Sequence, residues 1–215
     1  MPSTPLTDRV EALLADEAPL PIVAAGDPVL RRPAEPYDGQ LSDDLLARLT
    51  EAMRRTMRAA PGVGLAAPQI GVPLRLAVIE DPATVPEEVR EARGRTPQPF
   101  RVLVNPAYED AGGRHVAFYE GCLSVPGYQA VVARHERVRL RALDERGRPV
   151  DEEVTGWPAR IVQHETDHLN GTLYLDRAEL RSLSSTLTRE AVERWAHPTP
   201  RLAARELGFL LPDEG

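Results

Sequence analysis

Two histidines four residues apart, with a glutamate beside the first, form the most chemically loaded group in the chain: Gln163-His164-Glu165-Thr166-Asp167-His168-Leu169-Asn170-Gly171. On a helix, positions four apart lie one above the other on the same face. His164 and His168 can therefore present two imidazoles to one divalent cation. Such a cation lowers the pKa of a bound water toward neutrality, and Glu165 stands where it can handle that water's proton. The spacing reads as a hydrolytic metal site. The bland alternative is a surface helix carrying two histidines by accident. It must draw both from only five in 215 residues and set a glutamate between them.

A zinc-type site takes a third protein ligand. The metzincin pattern places a histidine six residues after the second one, but here Tyr174 stands in that position, so the helix does not complete its own site. Glu190 or Glu193 downstream could supply the ligand, as could Cys122, the single cysteine, upstream. Cys122 sits in Glu120-Gly121-Cys122-Leu123-Ser124, a turn between two expected strands whose backbone N–H groups could stabilise an oxyanion. A lone cysteine is most often a small buried hydrophobe, while a thiolate is a good ligand for Fe, Zn, Ni or Co. A further unusual stretch is Pro61 to Gly71, small, glycine-rich and nearly uncharged, with Gln69 its only long polar side chain. Glycines let a backbone approach a ligand closely, but the stretch reads equally well as a plain loop. It lacks the Gly-Lys-Ser/Thr ending of a phosphate loop.

These residues need elements to position them. Pro158 in a first turn and Asn170-Gly171 as a stop delimit the histidine helix. Ser42 to Ala59 predicts an amphipathic helix, with Ser42 as cap and Leu45, Leu46, Leu49, Met53 and Met57 as a core stripe. Thr7 to Ala15 has helical spacing. Leu74–Ile79, Val102–Val104 (ended by Asn105-Pro106), Arg114–Tyr119, one long strand over Val131–Leu143, and Val150–Val154 read as strands. Asp81–Pro99, rich in Pro, Glu and Arg, reads as an exposed insertion, and Glu179–Ala196 as a helix. The class expected is α+β, with mixed or antiparallel strands packed around a central metal-binding helix. Residues 1–20 read as an N-terminal extension, 21–180 as the catalytic domain and 181–215 as a helical segment packed on it or trailing it.

Composition sets the outer bounds. Length suits one domain, and 42% apolar residues fit a globular core. A net charge of −7 argues against a dedicated nucleic-acid binder. One cysteine excludes an internal disulfide framework. Every basic side chain is arginine; the chain has no lysine. No apolar run suffices to cross a membrane. Asp8, Arg9, Glu11, Asp16 and Glu17 interrupt any leader-like segment, so the cytoplasm is the expected compartment.

Three stretches together resemble the motifs of peptide deformylase, in that family's order: Gly62-Val63-Gly64-Leu65-Ala66-Ala67-Pro68-Gln69, Glu120-Gly121-Cys122-Leu123-Ser124 and Gln163-His164-Glu165-Thr166-Asp167-His168-Leu169. The resemblance runs from about Ile22 to Asp176. It implies a bacterial metal-dependent hydrolase that removes the N-formyl group from the formylmethionine of new polypeptides and releases formate. Cys122, His164 and His168 would be the metal ligands. The ion would be Fe(II) physiologically, with Zn, Ni or Co able to replace it. Metal-bound hydroxide would attack the formyl carbon, with Glu165 as general base and acid. Gln69 and the Leu123 N–H would stabilise the oxyanion. Gly64 and Gly121 match positions that hold the substrate backbone. Val63, Glu120, Trp157, Arg160 and Ile161 fall where the family lines its methionine pocket. The implied partners are nascent N-formyl-methionyl peptides near the ribosome exit, with no nucleic acid and no membrane.

Overall fold

The computed structural model describes residues 5–15 and 19–212; the expectations for residues 1–4, 16–18 and 213–215 lie outside the described residues. Along the chain run α1 (Leu6–Leu13), α2 (Asp43–Ala59), β1 (Gly64–Ala66), β2 (Leu76–Asp81), α3 (Glu87–Ala92), β3 (Gln98–Asp110), β4 (His115–Cys122), β5 (Val125–His135), β6 (Arg137–Leu143), β7 (Pro149–Thr155), α4 (Gly156–Leu169), β8 (Ala178–Ser185), α5 (Arg189–Arg194) and α6 (Arg201–Leu207). A five-stranded sheet has the order β1-β2-β3-β6-β7 and a three-stranded sheet the order β4-β5-β8. Within these two sheets the strands pair antiparallel. The fold is α+β, and α4 touches strands of both sheets.

Helix α2 forms as its sequence dictates. The Ser42 hydroxyl accepts from the Leu45 N–H at 3.2 Å, and Asp43 and Asp44 favour the positive end of the helix dipole. Leu45, Leu46, Leu49, Met53 and Met57 are all buried, each side chain contributing about 1.5–3 kcal/mol by leaving water. They pack with Leu65, Leu74, Leu76 and Val78 into one core cluster, which α1 joins through Val10. A second cluster seats α4 on the large sheet through Ala159, Ile161, Val162 and Leu169 against Ile79, Leu103, Val138 and Leu140.

The structure departs from the sequence reading in four places. The alternation from Val131 to Leu143 continues across a break at Glu136, where the chain leaves the small sheet (β5) for the large one (β6). The strand expected to stop at Asn105-Pro106 runs on to Asp110. Asn105 takes a left-handed conformation (φ 50°) inside a register shift and bonds both backbone groups of Tyr37. The helix expected from Glu179 begins as β8, because Ala178–Ser185 pairs with the free edge of β5 and the Val131 N–H donates to the Ser182 hydroxyl at 2.7 Å. That edge pairing overrides the helical spacing of Leu180 and Leu183, which stay exposed. The 81–99 insertion is exposed only in part: α3 buries nothing, but Asp81 is fully buried, and Arg93 and Arg95 turn back into a cleft.

Candidate active site and its metal-ligand cluster

Three ligand atoms converge where α4 meets the turn between β4 and β5. The donor atoms of Cys122, His164 and His168 all lie within 4.8 Å of one another. Cys122 Sγ stands 3.2 Å from His168 Nε2. Cys122 closes β4, where a register shift against β5 re-aims its side chain. Glu190 and Glu193 have no place in this cluster: both are exposed on α5, and Glu193 pairs with Arg189. Tyr174, at the position of the missing histidine, is 1% exposed and stacks its ring on that of His164 at 6.3 Å.

A buried ion-pair network orients the ligands. His164 Nδ1 lies 3.0 Å from a Glu120 oxygen, which fixes the ring and leaves Nε2 for the cluster. Glu120 also accepts from Arg134 at 2.6 and 2.9 Å, and from Arg160. Arg134 reaches on to Asp167 at 2.8 Å; Asp167 in turn accepts from the Tyr108 hydroxyl at 3.0 Å and from Arg177. Burial works to raise Glu120, but Arg134, Arg160 and His164 outweigh it and hold the carboxyl well below its ordinary range. Burial works to lower His164, yet bonds to the Cys122 sulfur and Glu120 drive it up to about 10. His168, buried beside a charged His164, is driven far down. Thus one imidazole is pulled toward a proton while its neighbour is denied one. A single divalent cation would satisfy both rings and the thiolate.

One orphaned polar atom fits such an ion: Glu165 Oε2 is buried with no hydrogen-bond partner. Burial pushes the Glu165 carboxyl up to about 7. Gly64 explains how that carboxylate fits: a Cβ there would stand 2.5 Å from Glu165 Cδ and 2.8 Å from Cγ. Gln69 is 2% exposed. Its Oε1 is held by the Ala66 N–H at 2.8 Å, so its amide nitrogen faces Ser124 Oγ at 3.3 Å and Cys122 Sγ at 3.6 Å. Thiolate with two imidazoles is a donor set that suits Fe, Zn, Ni or Co.

A cleft of about 630 Å³ opens onto the cluster. It is lined by Val63, Gly64, Gln69, Glu120, Gly121, Cys122, Leu123, Trp157, Arg160, Ile161, His164 and Glu165, so the structure brings the sequence-derived site residues together there; His168 lies behind, 1% exposed. Sequence reasoning missed Arg134 and Tyr108, because an arginine in an alternating strand reads as surface; Asp167 reads from sequence as either a support for the ligands or a solvent-exposed group, and the structure buries it. Sequence reasoning also missed Arg93 and Arg95, for which charge inside a proline-rich insertion gave no signal.

The fold and cluster define a hydrolase-type site in which two helix imidazoles and a strand-turn cysteine could hold a metal ion. Residues 19–184 match the family Polypeptide deformylase. The chain is 74% identical over 212 residues to peptide deformylase 3 of Streptomyces avermitilis, covering 98% of this chain and 93% of that one. It is 41% identical over 169 residues to the human mitochondrial peptide deformylase, covering 76% and 70%. A Met-Ala-Ser-bound class I type b peptide deformylase from Acinetobacter baumannii superposes with a TM-score of 0.67 at 34% identity, covering 75% of this chain and all of that one. The chain belongs to the peptide deformylase family. It is a hydrolase that removes the N-formyl group from the N-terminal formylmethionine of polypeptides. Among the described residues, no helix is long and apolar enough to cross a membrane.

Proposed function

We propose that Cys122, His164 and His168 hold one divalent cation, Fe(II) in the cell with Zn, Ni or Co able to replace it, and that Glu165, Gln69 and Leu123 carry the chemistry beside it. The observation that carries this reading is the convergence of the three donors at a cleft that Glu165, with a buried, unpartnered oxygen, also lines. The ion, when bound, supplies an acidified water and a positive charge near the reacting carbonyl. Glu165 takes the proton of the attacking water and returns it to the leaving amine. The Gln69 amide, fixed by Ala66, and the Leu123 N–H donate to the oxyanion as the formyl carbon becomes tetrahedral. Gly64 and Gly121 leave room for the substrate backbone. Val63, Ile161, Trp157 and Arg160 wall the methionine side chain, and Glu120 backs that wall while holding His164.

The substrates are nascent N-formyl-methionyl chains, met in the cytoplasm near the ribosome exit. Residues 21–180 form the catalytic unit, with 1–20 and 181–215 as additions to it. The test is formate release from a formyl-Met-Ala-Ser peptide by anaerobically purified protein, with Glu165→Ala and Cys122→Ala beside it and metal counted on all three. Release by the wild type alone, with metal kept in the Glu165 variant and lost in the Cys122 variant, is the expected pattern. A Cys122 variant that keeps its metal would overturn the ligand assignment.

A further inference from the structure

Three guanidinium groups surround one indole at the far wall of the cleft. Arg93, Arg95 and Arg160 place their Cζ atoms 5.1, 5.3 and 5.7 Å from the Trp157 ring, and all four residues line the cleft. Two of the cations are neutralised. Arg95 pairs with buried Asp81 at 2.8 and 2.9 Å, and Arg160 pairs with Glu120 and donates to the Val132 and Val116 carbonyls. Arg93 has no carboxylate partner among the described residues. Its only bonds there are long ones, from Nε to the Pro198 carbonyl at 3.4 Å and from Nη2 to the His197 carbonyl at 3.3 Å. A guanidinium carries five N–H donors, so Arg93 keeps unused donors on Nη1.

Arg93 is half-buried and lies over the Phe118 ring at 5.6 Å as well as over Trp157. Like charges crowd a partly buried cation, and burial together with Arg95 and Arg160 pulls Arg93 down to about 10. A pocket meant only for an apolar thioether would gain nothing from such a group, since a thioether sulfur is a weak acceptor. The position is also fastened. The Trp157 backbone N–H donates to the Gly94 carbonyl at 3.2 Å, and a Cβ on Gly156 would stand 2.5 Å from that same oxygen. The insertion thus presents Arg93 from a fixed backbone beside Trp157, Arg160 and Ile161, the wall assigned above to the first side chain of the substrate.

We propose, resting on the deformylase reading of this site, that Arg93 is a specificity-determining residue that admits a first side chain ending in an oxygen acceptor, methionine sulfoxide above all. The sulfoxide oxygen accepts from the free Nη1 donors, and oxidation of the thioether supplies that oxygen without changing the chain length. Nascent chains whose first methionine has been oxidised would then still be deformylated.

The test compares kcat/KM for formyl-Met-, formyl-Met-sulfoxide- and formyl-norleucine-Ala-Ser on wild type, Arg93→Met and Arg93→Lys. Loss of one charge-assisted bond predicts that Arg93→Met lowers the sulfoxide-to-norleucine ratio by roughly 10- to 100-fold, with Arg93→Lys intermediate. An unchanged ratio, or an equal loss on all three peptides, overturns the proposal and leaves Arg93 a clip to the 197–198 segment. Should Arg93→Met fail to fold, the same ratio in Arg93→Lys decides. Absence of release from formyl-Met by the wild type would refute the deformylase reading instead; calorimetric binding of the sulfoxide peptide to wild type and variant would then judge Arg93 alone.

Discussion

Replacing Gly64 by alanine isolates the placement of Glu165 from everything else in the site. Gly64 lies in β1 beside Ile79, its side-chain position is fully covered, and its φ is not in the left-handed region, so alanine meets no backbone strain. The added methyl, however, falls 2.5 Å from Glu165 Cδ and 2.8 Å from Cγ, where ordinary contact begins at 3.4 Å. The carboxylate must therefore retreat by roughly 1 Å, and a displacement of that size costs a positioned group about 100-fold in rate. Because Glu165 is not a ligand, metal content should stay at the wild-type level. Because only one side chain shifts, the melting temperature should fall by no more than a few degrees, on the order of 1 kcal/mol. The assay is kcat from formate release, with metal counted and melting followed on the same sample. A Gly64→Ala protein with kcat within about threefold of wild type would refute the account of Glu165 as the proton carrier held against this glycine. A protein that loses its metal would show that Gly64 supports the ligands instead.

Three further outcomes follow from the network and the titrating groups. Arg134→Met leaves Glu120 and Asp167 buried without their shared cation, so it should cost about 3–5 kcal/mol and roughly 10 °C in melting temperature, with weaker metal binding; an unchanged melting temperature would contradict this. Glu80 is held down to about 2 by bonds from Arg54 and Arg58. A carboxylate depressed in the folded state stabilises above its unfolded pKa of about 4.3 and ceases to do so as pH falls toward 2. Glu80→Gln should therefore melt about 2–4 °C lower at pH 7, and that gap should close between about pH 4 and pH 2; a gap that persists at pH 2 would contradict the linkage. In metal-free protein, a carbon-13 titration of the Glu165 carboxyl should have its midpoint near 7, as burial dictates, and the midpoint should drop when zinc is added, because a nearby cation favours the carboxylate. A midpoint near 4.3 before zinc is added would show that burial does not act on this group.

How far the sequence spoke depended on whether a signal was local. The juxtaposition of the two α4 imidazoles follows from i, i+4 spacing, and α2 from a cap and a stripe, so both elements were legible. The Cys122 turn was visible as a choice between ligands, and the resemblance in three motifs narrowed it. What lay hidden were features decided by distant partners. Arg134 looks like any outward residue of a strand until Glu120 and Asp167 close around it. β8 was masked because pairing along β5 overrode a helical spacing, and the break at Glu136 because alternation says nothing about which sheet a strand joins.

The insertion carries a consequence for how this scaffold can be altered. Its two ends are pinned: Asp81 clamps Arg95, and Gly94 sits against Gly156. Between the pins, α3 buries no side chain. Residues 87–92 are thus a replaceable cassette, open to exchange without disturbing the cleft wall, whereas Ala83 ahead of them is buried and its N–H donates to Asp81 at 2.8 Å. A fluorophore or a grafted peptide placed there would ride within reach of the substrate's first side chain, turning the enzyme into a reporter of its own occupancy.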